Sequence, residues 1–176
     1  ALMSVPRDNP GLVKAQYLAL SRQLPMMYFI LLTNTLMLAG THYAVAPRWL
    51  VLYCPLVMTL FGVIRAAEWF RTRNQLRSPT QMLTALKRTN RLAPFVASAF
   101  TAWALALFPY GDSYTQAHVG FYMAITVIGC IFCMMHLLPA ALATTAVVNT
   151  AFVVFFASTT ISTFVATAID VLLVSI

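Results

Sequence analysis

Charge is scarce in this chain, and negative charge scarcer still: 9% of the 176 residues are charged, and only 4 are acidic against 11 basic. A soluble globular domain carries about 25% charged residues on its surface. With 61% hydrophobic residues, no water-soluble sphere can be built from this composition. Also missing are a Walker loop, a nucleophile elbow, an HExxH pair and any close pair of carboxylates, so catalysis is not expected within this segment. Cysteine is sparse too. Cys54, Cys130 and Cys133 all fall inside apolar runs, where a disulfide framework or a zinc ribbon has no place.

What is present is apolar sequence in long blocks. A membrane-crossing helix needs about 20 mostly apolar residues, and such runs occur at 25–43, 49–70, 92–108, 118–138, 139–157 and 160–176. The expected fold is all-α: a polytopic bundle of six transmembrane helices over 25–176, preceded by a cytoplasmic segment at 1–24. Five residues, Ala44 to Arg48, separate the first two runs and contain Pro47, which makes a tight antiparallel hairpin. The opening residues carry no charged leader followed by a short apolar stretch and a cleavage site, so no removed signal peptide is expected. The last six residues, from Val171, still lie inside an apolar run, and a continuation into a longer protein is expected.

The net charge of +7 would point to nucleic acid in a soluble chain, but here the cations are confined to segments between apolar runs. They report topology instead, and no nucleic-acid partner is expected. Arg7, Lys14, Arg22, Arg65, Arg71, Arg73, Arg77, Lys87, Arg88 and Arg91 fall on one side of a six-helix arrangement, with Arg48 alone on the other. Cations collect on the cytoplasmic side, so both termini are expected there. Tyr43, Trp49, Tyr53, Tyr110 and Tyr114 would then mark the outer headgroup level, and Trp69 with Phe70 the inner one.

Two further stretches carry an apolar stripe with helical spacing. Gly11 to Leu24 puts Leu12, Val13, Tyr17, Leu20 and Leu24 near one face, away from Lys14, Ser21 and Arg22. Ser78-Pro79-Thr80-Gln81 is a capping box with proline at the first helical position, after which Met82, Leu83 and Leu86 oppose Lys87, Arg88 and Arg91. Both read as helices lying on the membrane surface.

A few polar groups sit within or at the edges of the spans. His42 ends the first helix and His118 begins the fourth, both at the outer interface, where two imidazoles can share a metal or haem or can simply meet the water boundary. His136 is about 27 Å from His118 along the helix and cannot join them. Cys130, Cys133 and His136, every third residue, read as packing groups or as a soft-metal or redox set. Arg65 and Glu68, three apart, can neutralise one another where the second helix leaves the bilayer. Asp170 has no basic residue within one turn, so it either pairs, with Asn149 or Arg65 as candidates, or reaches the inner headgroups. Asn34 and Asn149 are amides in need of partners, and Gly62 with Ala66, or Gly120 with Ala124, permits close helix approach, within the chain or across a homodimer.

The run Arg22-Gln23-Leu24-Pro25, with Asn34, Thr41-His42-Tyr43 and Ala46-Pro47-Arg48-Trp49-Leu50, resembles the N-terminal membrane region of bacterial cyclic-di-GMP signalling proteins. In that family the region precedes cytosolic diguanylate cyclase (GGDEF) and often phosphodiesterase (EAL) domains. The resemblance implies a sensory and anchoring domain of the bacterial inner membrane, with an output domain beyond Ile176. Thr41-His42-Tyr43-Ala44 is also similar to the Met-His-Tyr-Thr signature of membrane sensor domains associated with metal or diatomic gas, without its Met and final Thr. The competing expectations are a small transporter or channel lined by Asn34, Asn149 and Asp170, a metal- or haem-binding membrane protein using His42 and His118, and a structural subunit of a membrane complex.

Overall fold

The computed structural model describes residues 10–72 and 78–158, together with Ala166, Ile169 and Leu173. These residues form α1 (Pro10–Thr41), a π-helical turn (Trp49–Tyr53) leading into α2 (Cys54–Thr72), then α3 (Pro79–Leu107), α4 (Ser113–Met134) and α5 (Leu138–Ser158). There is no strand among the described residues. Five helices are long and apolar enough to cross a membrane. The expected sixth span at 160–176, and Asp170 with it, falls outside the described residues except for the helical positions Ala166, Ile169 and Leu173.

The helices run alternately up and down. One end of the bundle, the histidine end, holds the end of α1 and the turns before α2 and α4. The other, the charged end, holds Glu68 and Arg88. α1 packs on α2, α3 and α4, and α5 closes the far side against α3 and α4. α2 packs mainly on α1, which leaves Leu56, Val57, Leu60, Val63 and Ile64 exposed, as a lipid-facing helix requires.

The two expected surface helices are instead the first parts of α1 and α3. α1 continues for 32 residues through Pro25, and α3 for 29 residues through Pro94. At 1.5 Å per residue these are about 48 and 44 Å long, well beyond the roughly 30 Å of hydrocarbon. The apolar stripes do exist, but they face protein: Val13, Tyr17, Leu20 and Leu24 of α1 are buried with Trp69, Met82, Leu86, Met134 and Leu137. Trp69, expected among the headgroups, is likewise buried, its ring centroid 5.5 Å from that of Tyr17. The start of α3 is capped by reciprocal bonds: Ser78 Oγ accepts from the Gln81 amide at 3.3 Å, and the Ser78 amide donates to Gln81 Oε1 at 3.2 Å. The aromatic residues of the histidine end, Tyr43, Trp49, Tyr53, Tyr110 and Tyr114, are all exposed.

The core divides into two clusters stacked along the bundle axis. One fills the charged half around Tyr17, Leu20, Leu86 and Leu137. The other fills the histidine half around Leu38, Leu107, Val119, Phe152 and Phe156, with Phe108 edge-on to Phe155 and Phe156 at 5.1 and 5.4 Å. Lipid is as apolar as leucine, so helices in a bilayer hold together by close packing and interhelical hydrogen bonds rather than by leaving water. Tyr122 bonds Thr35 Oγ1 across α4 and α1 at 3.2 Å, and Trp103 Nε1 donates to the Leu50 carbonyl at 2.8 Å, tying α3 to the π-helical turn. A methyl group at Gly62 would lie 2.8 Å from Leu32 Cδ2, so that glycine does let α2 approach α1 closely. A Cβ at Gly120 would meet nothing within 4 Å, so Gly120 marks no such contact.

Replacing Trp103 with Phe keeps an aromatic ring but removes the N–H that donates to Leu50 and part of a buried indole. The expected loss is at least about 1 kcal/mol of stability, read as a lower midpoint in thermal or denaturant unfolding of the detergent-solubilised protein; an unchanged midpoint would show that this bond contributes nothing.

Candidate functional site

At the histidine end, one hydroxyl organises both imidazoles. Thr41 Oγ1 lies 3.2 Å from His42 Nδ1 and 3.1 Å from His118 Nδ1, and it donates to the Leu38 carbonyl at 3.0 Å. His42 Nδ1 is also 3.0 Å from that carbonyl, which can only accept, so Nδ1 carries the ring proton. The remaining lone pair, on Nε2, is buried and has no hydrogen-bond partner. Asp112 caps α4 by accepting from the Thr115 amide at 2.9 Å, which lowers its carboxyl below the usual carboxylate range. His42 and His118 are thus brought together, but both present Nδ1 to a threonine hydroxyl rather than to an open position between them. Protein zinc sites supply at least three ligands, and no group of three His, Cys, Asp or Glu suited to a metal occurs among the described residues.

The other sequence-selected groups part company. Cys130 and Cys133 turn into the core of the charged half, while His136 is exposed in the turn after α4. Asn34 Nδ2 and Asn149 Oδ1 are each buried without a partner, and no hydrogen bond joins them.

The charged half holds a more developed site. Arg65 is 5% exposed although it lies within α2, about 10 Å from the end of that helix by its seven-residue offset from Thr72. It is paired through Nη1 with Glu68 Oε2, and the other oxygen of the same carboxylate accepts from Arg88 Nη1 of α3 at 3.2 Å. Two guanidinium groups therefore share one carboxylate. Arg65 Nε is buried and unpartnered, as are Thr89 Oγ1 on α3 and Thr144 Oγ1 on α5.

These three residues line one cleft, together with Leu24, Met27, Tyr28, Leu31, Phe100 and Val148 among others. Its wall draws on both core clusters, Leu24, Met27 and Tyr28 from the charged half and Leu31, Phe100 and Val148 from the histidine half, so it occupies the seam between them. The cleft is narrow and partly open, with a cavity volume of about 30 Å³. Pro25 and Pro94 lie at this level, each beside wall residues, Leu24 and Met27 on α1 and Ala93 and Val96 on α3. Proline removes one helical hydrogen bond and loosens the backbone where it sits. The sequence places Arg65 at the membrane edge, gives Thr41 only as part of a resemblance motif, and does not single out Thr89 or Thr144. The available signals were the threonines inside apolar runs and the two prolines inside helical patterns.

His42 gives a pH prediction. Burial holds its imidazole below the ordinary value; the Leu38 carbonyl acts against this, His118 adds to it, and Asp112 opposes it. The folded state thus takes up the proton less readily than the unfolded chain, whose imidazole titrates near 6.5. The His42 contribution is complete above that value and is lost as pH falls through it. Unfolding midpoints in detergent should drop between pH 7.5 and 5.5, and His42→Gln should drop less; equal drops would remove His42 from the account.

No family model matches the chain, and neither a curated protein nor a solved structure does so.

Proposed function

We propose that this chain is the sensory and anchoring domain of a bacterial inner-membrane signalling protein. The observation that carries the reading is the seam cleft, in which a buried arginine with an unpartnered N–H lines a narrow space between two separately packed halves of a membrane bundle. Ligand sites in helical bundles take this form, largely apolar with a few placed polar groups. A signal entering the cleft changes how the charged half sits on the histidine half, with Pro25 and Pro94 absorbing the change in backbone angle. Arg65 couples the cleft to Glu68 and through it to Arg88, at the end of the bundle where the cations gather. That end faces the cytoplasm by the positive-inside rule. The likeness of the first two helices to cyclic-di-GMP signalling proteins supplies the output: a cytosolic domain that makes or degrades cyclic-di-GMP.

A diguanylate cyclase domain fused in frame after Ile176 and expressed in cells tests this. Glu68→Gln, which frees both arginines, should change cyclic-di-GMP by at least threefold at equal membrane protein level. Product unchanged by Glu68→Gln, and equally by Arg65→Gln, would overturn the sensory reading.

A further inference from the structure

The chemistry of the seam cleft narrows the class of molecule it accepts. We infer that it binds a single-chain anionic amphiphile, a fatty carboxylate whose head meets Arg65 and whose chain lies toward Phe100. This deepens the sensory reading above and rests on it for its purpose, although binding itself is measured independently.

Charge selects the head group. Arg65, Arg88 and Glu68 together leave one positive charge uncompensated, and the Glu68 carboxylate already accepts from both arginines. Arg65 Nε still has a proton to donate, and the Thr89 and Thr144 hydroxyls on the same wall are buried without partners. A buried donor without an acceptor is costly. A carboxylate offers about four lone-pair sites on two oxygens, and charge-assisted bonds to Arg are the strong kind. An alcohol head brings no charge and one accepting oxygen in place of two.

Shape selects the tail. From Thr89 to Phe100 the wall runs along α3 for about 16 Å. The cleft is narrow, with a cavity volume of about 30 Å³, and partly open, so an occupant lies along it and parts the side chains of its wall. A single polymethylene chain, the slimmest lipid tail, parts the wall least; ring systems and paired acyl chains part it more. Beyond the arginine the cleft offers mainly Leu31, Val96, Phe100 and Val148, whereas an ordered water needs two to four polar partners. Entry from the bilayer suits a ligand that already partitions there.

The full chain in phosphatidylcholine nanodiscs, titrated with dodecanoate and separately with dodecanol, tests the assignment by native mass spectrometry. The expected result is one dodecanoate per chain, at least tenfold tighter than dodecanol, weakened at least tenfold by Arg65→Gln. Ala93→Phe, which keeps every charge and fills the wall at a partly buried position, should abolish binding and serves also if Arg65→Gln does not fold. Equal binding of dodecanol, or dodecanoate binding that survives Ala93→Phe, would overturn the inference. Added to cells carrying the cyclase fusion, dodecanoate separates the two claims. Binding with a silent fusion removes the sensory reading and keeps the site; a fusion that responds to Glu68→Gln in a chain that binds no dodecanoate keeps the reading and removes the site.

Discussion

A guanidinium that cannot lose its charge lies inside a membrane helix, and much of the charged half is arranged around that fact. Arginine stays protonated under all ordinary conditions, so Arg65 cannot relieve its burial by neutralising itself as a carboxylate or lysine would. It must find partners, and in a chain with 4 acidic residues they are few. Glu68, one turn further along α2, provides one, and because that carboxylate also reaches Arg88 the ion pair becomes a link between α2 and α3. α2 otherwise packs mainly on α1; the Arg65 end of the link is buried, while its Glu68–Arg88 end lies at the surface, where an ion pair alone is weak.

The same demand explains why the charged half is a core of its own. Extending α1 and α3 beyond the thickness of the hydrocarbon brings Tyr17, Leu20, Met82 and Leu86 over Trp69 and Leu137, which shields the buried ends of the helices near Arg65. The histidine half is knit separately, by Phe108 against Phe155 and Phe156 and by the Thr35–Tyr122 and Trp103–Leu50 bonds. Two well-packed units meeting at a narrow cleft, with prolines in two of the crossing helices, form an element that can adopt more than one relative angle. Packed cores switch between arrangements rather than deforming smoothly, and the proposed sensory role rests on that property.

Much of this architecture was legible in the residues. Hydropathy alone locates the apolar helices, and the Ser78-Pro79-Thr80-Gln81 pattern locates the start of α3, because caps and spans are local properties of the chain. The amphipathic stripes at Gly11–Leu24 and Met82–Leu86 were legible as stripes but not as contacts, since an apolar face reads the same whether it meets lipid or protein. Pro25 stands where the first span was expected to begin, yet membrane helices tolerate proline, and α1 continues through Pro25 as α3 does through Pro94. The meeting of Thr41 with His118 joins residues 77 apart and leaves no local trace. The burial of Arg65 was hidden for a similar reason: its pairing with Glu68 shows in the spacing, but the covering side chains come from α1 and α3.

The most direct test is a distance. With nitroxides at Arg71 on α2 and Thr84 on α3, pulsed electron resonance of the protein in nanodiscs reads the gap that the Arg65–Glu68–Arg88 link spans. Glu68→Gln should lengthen and broaden that distribution, because α2 loses its tie to α3 and Arg65 must seek water. A distribution identical to that of the parent protein would show that the shared carboxylate holds nothing together, and the account of the charged half would fail with it.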